Sequence, residues 1–232
     1  MTPPTPIPAA IVWFRDDLRA QDHAALQAAA TSRAPVLPLL VDEWPAHRHA
    51  PGRRARWWRA KAALSLEDAL AKLGLPLVAR RGNPIAEILQ VVRETGARTV
   101  HAMASVDSHA RETETLLAMR LSQEGARLVL HAGNLLHDPD TLRTKSGTPY
   151  KVFTPFHAAL ADLLKTPPPE TPLPRKIEAP RSIPQGVPLP RPDPADAPAS
   201  PMAHARMDWT PAVQAERIIA RFLAACREWE KL

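Results

Sequence analysis

Ile11-Val-Trp-Phe-Arg-Asp-Asp-Leu-Arg19 is an apolar run that breaks abruptly into alternating charges. Four apolar residues are too few for a helix and suit a buried strand that feeds a charged loop. Asp22 then predicts the start of a helix that reaches Thr31. Working outward, further strands are predicted at Pro35–Val41, Leu75–Ala79, Thr99–Ala102 and Arg127–His131. Between the later strands, Asn83-Pro84 predicts a capped helix start, with Glu87 complementing its positive end. Asp107 or Ser108 caps the next helix, which runs to about Gln123 and is ended by Gly125. This alternation implies an α/β fold with a doubly wound, five-stranded parallel sheet. Ligands of such sheets bind outside the carboxyl ends of the strands, so the loop after Phe14 lies on the ligand-bearing edge. There Arg15 and Arg19 can hold carboxylates or phosphates, and Asp17 can fix an arginine by paired hydrogen bonds.

The rest of the 232 residues divides by composition. Residues 1–8 are proline-rich and read as a disordered N-terminus, and the α/β domain covers 9–165. Proline density then rises sharply: 166–210 is a linker, either loose or laid extended over a surface. From Pro211 to Leu232 the residues Ala215, Ile218, Ile219, Phe222, Ala225, Cys226 and Trp229 recur at helical spacing and form one apolar stripe. That stripe calls for a partner, either a further helical domain or a separate protein. The single cysteine, Cys226, excludes an internal disulfide framework. With no secretory leader and no membrane-length apolar run, it points to the cytoplasm. The net charge of +6 favours polyanions, but it is dispersed enough that any contact with DNA is expected to be weak or indirect.

Several chemistries lack their signatures. There is no zinc-ligand spacing, no Gly-x-Ser-x-Gly elbow, no phosphate-cradling P-loop and no Gly-x-Gly-x-x-Gly after the first strand. No metal ligand and no catalytic residue is assigned. A non-catalytic α/β interaction or nucleotide-binding module, paired with another protein through the terminal helix, is the alternative reading.

Three stretches in order carry a specific resemblance. They are the Trp13-Phe-Arg-Asp-Asp-Leu-Arg19 loop with Asp22 and Leu26; Arg56-Trp57-Trp58 and its helix to Leu73, followed by Gly74-Leu-Pro-Leu-Val-Ala-Arg-Arg-Gly-Asn-Pro84; and Tyr150-Lys-Val-Phe-Thr-Pro-Phe-His157 after the turn Lys145-Ser-Gly-Thr-Pro149. Together they resemble the N-terminal domain of photolyases and cryptochromes. The resemblance implies a Rossmann-like sheet that can hold a light-harvesting antenna chromophore: a deazaflavin, a flavin or a reduced folate. It places FAD, and the light-driven repair of pyrimidine dimers, in a separate helical domain whose start residues 211–232 resemble. It therefore implies a truncated photolyase-like chain that at most binds the antenna and does not repair DNA alone. The residues implied to bind the chromophore are Trp13, Arg15, His49, Arg54, Asp107 and Ser108. Asp107-Ser108 stands where folate-binding members commonly have Asn-Glu, and His23 stands where the family usually has Asn. Phe153 and Phe156 are expected to serve packing, with Thr154-Pro155 opening a helix.

Overall fold

The structure, a computed structural model, describes residues 8–43, 51–135, 137–138, 141–164 and 170–197. Five strands form one parallel sheet: β1 (Ala10–Phe14), β2 (Val36–Asp42), β3 (Val78–Arg81), β4 (Thr99–Met103) and β5 (Arg127–His131). Their spatial order is β3-β2-β1-β4-β5, so the winding direction reverses between β1 and β4. Because both faces of the sheet are covered, successive residues of β1 enter different cores. Ile11 and Trp13 pack with Leu37, Leu39 and Val100, beneath Ile88 and Val91 of α3 (Pro84–Thr95) and Leu117 and Leu121 of α4 (Ser108–Gln123). Ala10, Val12 and Phe14 pack on the other side with Ala25 and Leu26 of α1 (Ala24–Thr31) and Leu66 and Leu70 of α2 (Arg53–Ala71). The near-continuous apolar strands are the direct consequence of this two-sided burial. Among the described residues no helix is long and apolar enough to cross a membrane.

Three local expectations change. The third strand starts at Val78, not Leu75. Gly74 turns with φ +74°, and the Leu75 N–H donates to Leu70 O, so Leu75 closes the end of α2 before the strand begins. The cap of α1 is His23 rather than Asp22: its Nδ1 accepts from the Leu26 N–H at 3.0 Å. Asp22 adopts φ +49°, and its carboxylate accepts instead from the Thr171 N–H at 2.8 Å. The last helix, α5 (Phe153–Leu163), buries none of its residues, and Phe153 is 74% exposed. Its aromatic contacts are local, Phe153 on His157 and Phe156 edge-on to Tyr150, because no other described element covers this helix.

Residues 170–197 are laid extended over the domain. Val36 N–H donates to Glu178 O at 2.7 Å, Val187 N–H donates to Ala79 O at 2.8 Å on the free edge of β3, and Arg53 pairs with Asp196. Ile177 and Ala179 pack onto the α1–α2 core. Proline suits such a strap, since it brings fixed extended geometry and one fewer donor to satisfy at each position. Gly186 lets the strap approach: a Cβ there would lie 3.1 Å from Ala79 O and 3.4 Å from Ala79 N. Gly186→Val is therefore expected to cost about 1–2 kcal/mol through overpacking. It should speed tryptic cleavage at Arg181 while leaving the sheet intact; unchanged cleavage kinetics would contradict this docking. The N-terminal residues 1–7 and the apolar stripe of 211–232 lie outside the described residues.

Candidate ligand-binding crevice

At the point where the winding reverses, the loops after β1 and β4 part around a crevice of about 340 Å³. This volume falls within the range of small-molecule sites. β1 and its loop supply Trp13, Arg15, Asp16 and Asp17, and the end of β2 supplies Glu43. Ser105, Asp107, His109, Ala110 and Thr113 come from the β4–α4 loop and the first turns of α4, and Asn134 follows β5.

Arg15 organises this wall. Its Nη2 donates to Glu114 Oε1 at 2.5 Å and to the Met103 carbonyl, fastening the β1 loop to α4 and the end of β4. Glu114 Oε1 also accepts from the Ser105 N–H at 3.0 Å. Both side chains are largely buried, 12% exposed for Arg15 and 6% for Glu114, so each charge depends on the other. The guanidinium lies 4.5 Å over the Trp13 ring, which is itself only 2% exposed. Trp13 thus forms the floor, and Arg15 stands between that ring and anything entering. Arg15 Nη1 is buried and has no hydrogen-bond partner among the described residues, leaving one donor for a ligand acceptor. Arg59 Nη1 supports the loop from behind, donating to Arg15 O at 2.8 Å and Asp16 Oδ1 at 2.7 Å.

Asp17 does not fix an arginine. Its Oδ1 accepts from the Arg15 N–H at 3.0 Å, and its Oδ2 lies 2.7 Å from His23 Nε2. Because His23 Nδ1 accepts from Leu26, the ring carries its proton on Nε2 and donates to Asp17. Burial pushes the Asp17 carboxyl up, but the hydrogen bond from His23, with backbone donors, outweighs it and holds the group below its ordinary value. A second imidazole pair joins β4 to β5: His101 Nδ1 and His131 Nε2 are 2.9 Å apart, with ring centroids 5.2 Å apart. Burial, then the charges of His131 and Arg127, push His101 down to about 4. Burial pushes His131 down as well.

Of the six residues implied by sequence, Trp13, Arg15 and Asp107 meet in the crevice. Asp107 is also the cap of α4, accepting from the Ala110 N–H at 3.0 Å. Ser108, exposed at the first position of α4, and Arg54, exposed in the first turn of α2, are not in the wall. His49 lies outside the described residues. Reading the sequence missed Glu43, Ser105, His109, Thr113, Asn134 and the supporting Glu114. Glu114 did leave a signal, since it shares the helix face of Leu117 and Leu121, where a carboxylate needs a partner. Among the described residues no group of three or more His, Cys, Asp or Glu is placed to hold a metal ion.

The family model for DNA photolyase matches residues 10–175, which takes in the whole sheet and every described side of the crevice. This chain belongs to the DNA photolyase family. It is 36% identical over 180 residues to a deoxyribodipyrimidine photo-lyase of Agrobacterium fabrum, a match covering 77% of this chain and 37% of that protein. It is 34% identical over 172 residues to cryptochrome-1 of Arabidopsis thaliana, covering 72% of this chain and 25% of that one. The crystal structure of a bacterial class III photolyase from Agrobacterium tumefaciens superposes with a TM-score of 0.75 at 33% identity, covering 82% of this chain and 39% of that chain. The photolyase domain described above thus spans well under half the length of these relatives.

Proposed function

We propose that this photolyase-family chain is an antenna module, holding a planar light-harvesting chromophore in the crevice between the β1 and β4 loops. The observation that carries this reading is the convergence of Trp13, Arg15 and Asp107 at the switch point of the sheet. The donor set suits a polar heterocycle. Arg15 Nη1 can donate to a ring carbonyl, Asp107 can accept from a ring N–H, and the guanidinium plane over Trp13 gives a flat surface against which the ring lies. When bound, a deazaflavin, flavin or reduced folate supplies absorption in the near-UV or blue and passes the excitation onward. The protein's own part is to orient that ring and exclude water from its inner edge. The apolar stripe of 211–232 would engage a flavin-binding helical domain or a separate protein.

Native protein is expected to show a near-UV or blue absorption band that is lost on denaturation, with one of the three pigments released and identified by mass spectrometry. Colourless protein, recovered repeatedly after all three pigments have been offered, would remove the antenna reading. Illuminating the isolated chain with an oligonucleotide that carries a thymine dimer should leave the dimer intact, because no residue here is assigned to electron transfer into DNA.

A further inference from the structure

Away from the crevice, α5 stands on the outside of the domain. It is 11 residues long, buries none of them, and starts at Val152, which has no side-chain cap bond. An uncapped helix of that length is marginal in water, so its persistence calls for cover. Phe153, Phe156, Leu160 and Leu163 recur at alternating three- and four-residue steps and form an apolar seam along one side. Phe153 and Leu163 are exposed large apolar groups within that seam. A seam of the same pitch is written at the end of this chain. Ala215, Ile218, Phe222, Ala225 and Trp229 follow the same alternation, and their small members leave gaps into which the rings and leucines of α5 can pack. The tether suffices for the two to meet. The strap is held at Asp196 by Arg53, and residues 197–210 extend to about 45 Å. A domain of this size has a radius of gyration of only about 15 Å.

We propose that residues 211–232 fold back as a helix onto the α5 seam of their own chain. Tethering raises the effective concentration of this segment at α5 to the order of millimolar, above what a second copy reaches in dilute solution. The seam of α5 is about 16 Å long, whereas a helix over 211–232 is about 33 Å. One end of the stripe therefore stays available to a helical domain or a separate protein, with α5 fixing where that partner is presented. The inference stands on the two helix faces and is independent of what the crevice holds.

Hydrogen exchange of the whole chain, read by mass spectrometry, tests the fold-back. Phe222→Asp puts a carboxylate into the middle of the stripe. The amides of α5 should then exchange at least about tenfold faster than in wild type, while those of β1 and β4 keep their rates. Phe222→Leu keeps an apolar group there and should hold α5 near the wild-type rate. Reciprocally, Leu160→Asp changes only the α5 seam and should speed tryptic cleavage at Arg217 and Arg221. Equal exchange of α5 in wild type and Phe222→Asp would overturn the proposal. Protection of α5 that rises with protein concentration, together with a dimer on size-exclusion chromatography, would also overturn it and assign the seam to a second copy.

Discussion

Arg15→Ala should lose about 3–5 kcal/mol of folding stability, the usual consequence of stranding one member of a buried ion pair. The stranded group is Glu114, which is 5% exposed and would keep only the Ser105 N–H as partner. The loop after β1 would also lose its ties to Met103 and to α4, so the crevice loosens together with the fold. Urea denaturation of the single variants and of Arg15→Met/Glu114→Leu separates these contributions. The double variant should recover most of the lost stability, since an apolar pair of similar volume removes both charges at once, yet it should not recover pigment binding. Equal stability of wild type and Arg15→Ala would mean that the pair contributes nothing to holding α4 against the sheet.

The second large effect is acid lability between about pH 6.5 and 4. His101 titrates near 6.5 when unfolded and near 4 when folded, so the unfolded chain binds more protons throughout that window. Stability from this site is complete above the unfolded value and is lost as the pH falls toward the folded one, by roughly 2 kcal/mol once solvent screening is allowed for. The depression of His131 acts in the same direction. Asp17 acts with the same sign but lower on the scale: its lowered carboxyl keeps its contribution through this window and surrenders it only in stronger acid. Unfolding free energies measured at pH 7 and 4.5 should differ markedly in wild type, and much less in His101→Gln. If the two proteins show the same pH slope, the imidazole pair is not the source.

The sheet was legible because two-sided burial leaves short apolar runs that suit a covered parallel strand; Ala10–Phe14 and Thr99–Met103 are cases in point. The caps of α3 and α4 were legible because Asn83 and Asp107 act locally, on N–H groups two or three residues away. His23 was not, because its capping depends on Asp17 fixing the ring from six residues earlier. The same distinction separates the two halves of the crevice. Trp13, Arg15 and Asp107 sit in local motifs, whereas Glu114, Asn134 and Glu43 arrive through helix phase and sheet order, which no single stretch of sequence displays. Whether the proline-rich segment hung free or lay against the domain was equally a tertiary matter, decided by Ile177, Ala179 and the contact at Ala79.

The strap has a consequence for how copies of this domain can meet. With Val187 bonded to Ala79, the β3 flank is closed to a second strand, whereas β5 has a neighbour on one side only among the described residues. An unpaired strand is a template for growth, and a sheet open on both flanks can polymerise without limit. Here the strap stops growth at the β3 flank, so the sheet cannot lengthen by that border. The proline-rich strap thus also acts as a terminator on that flank.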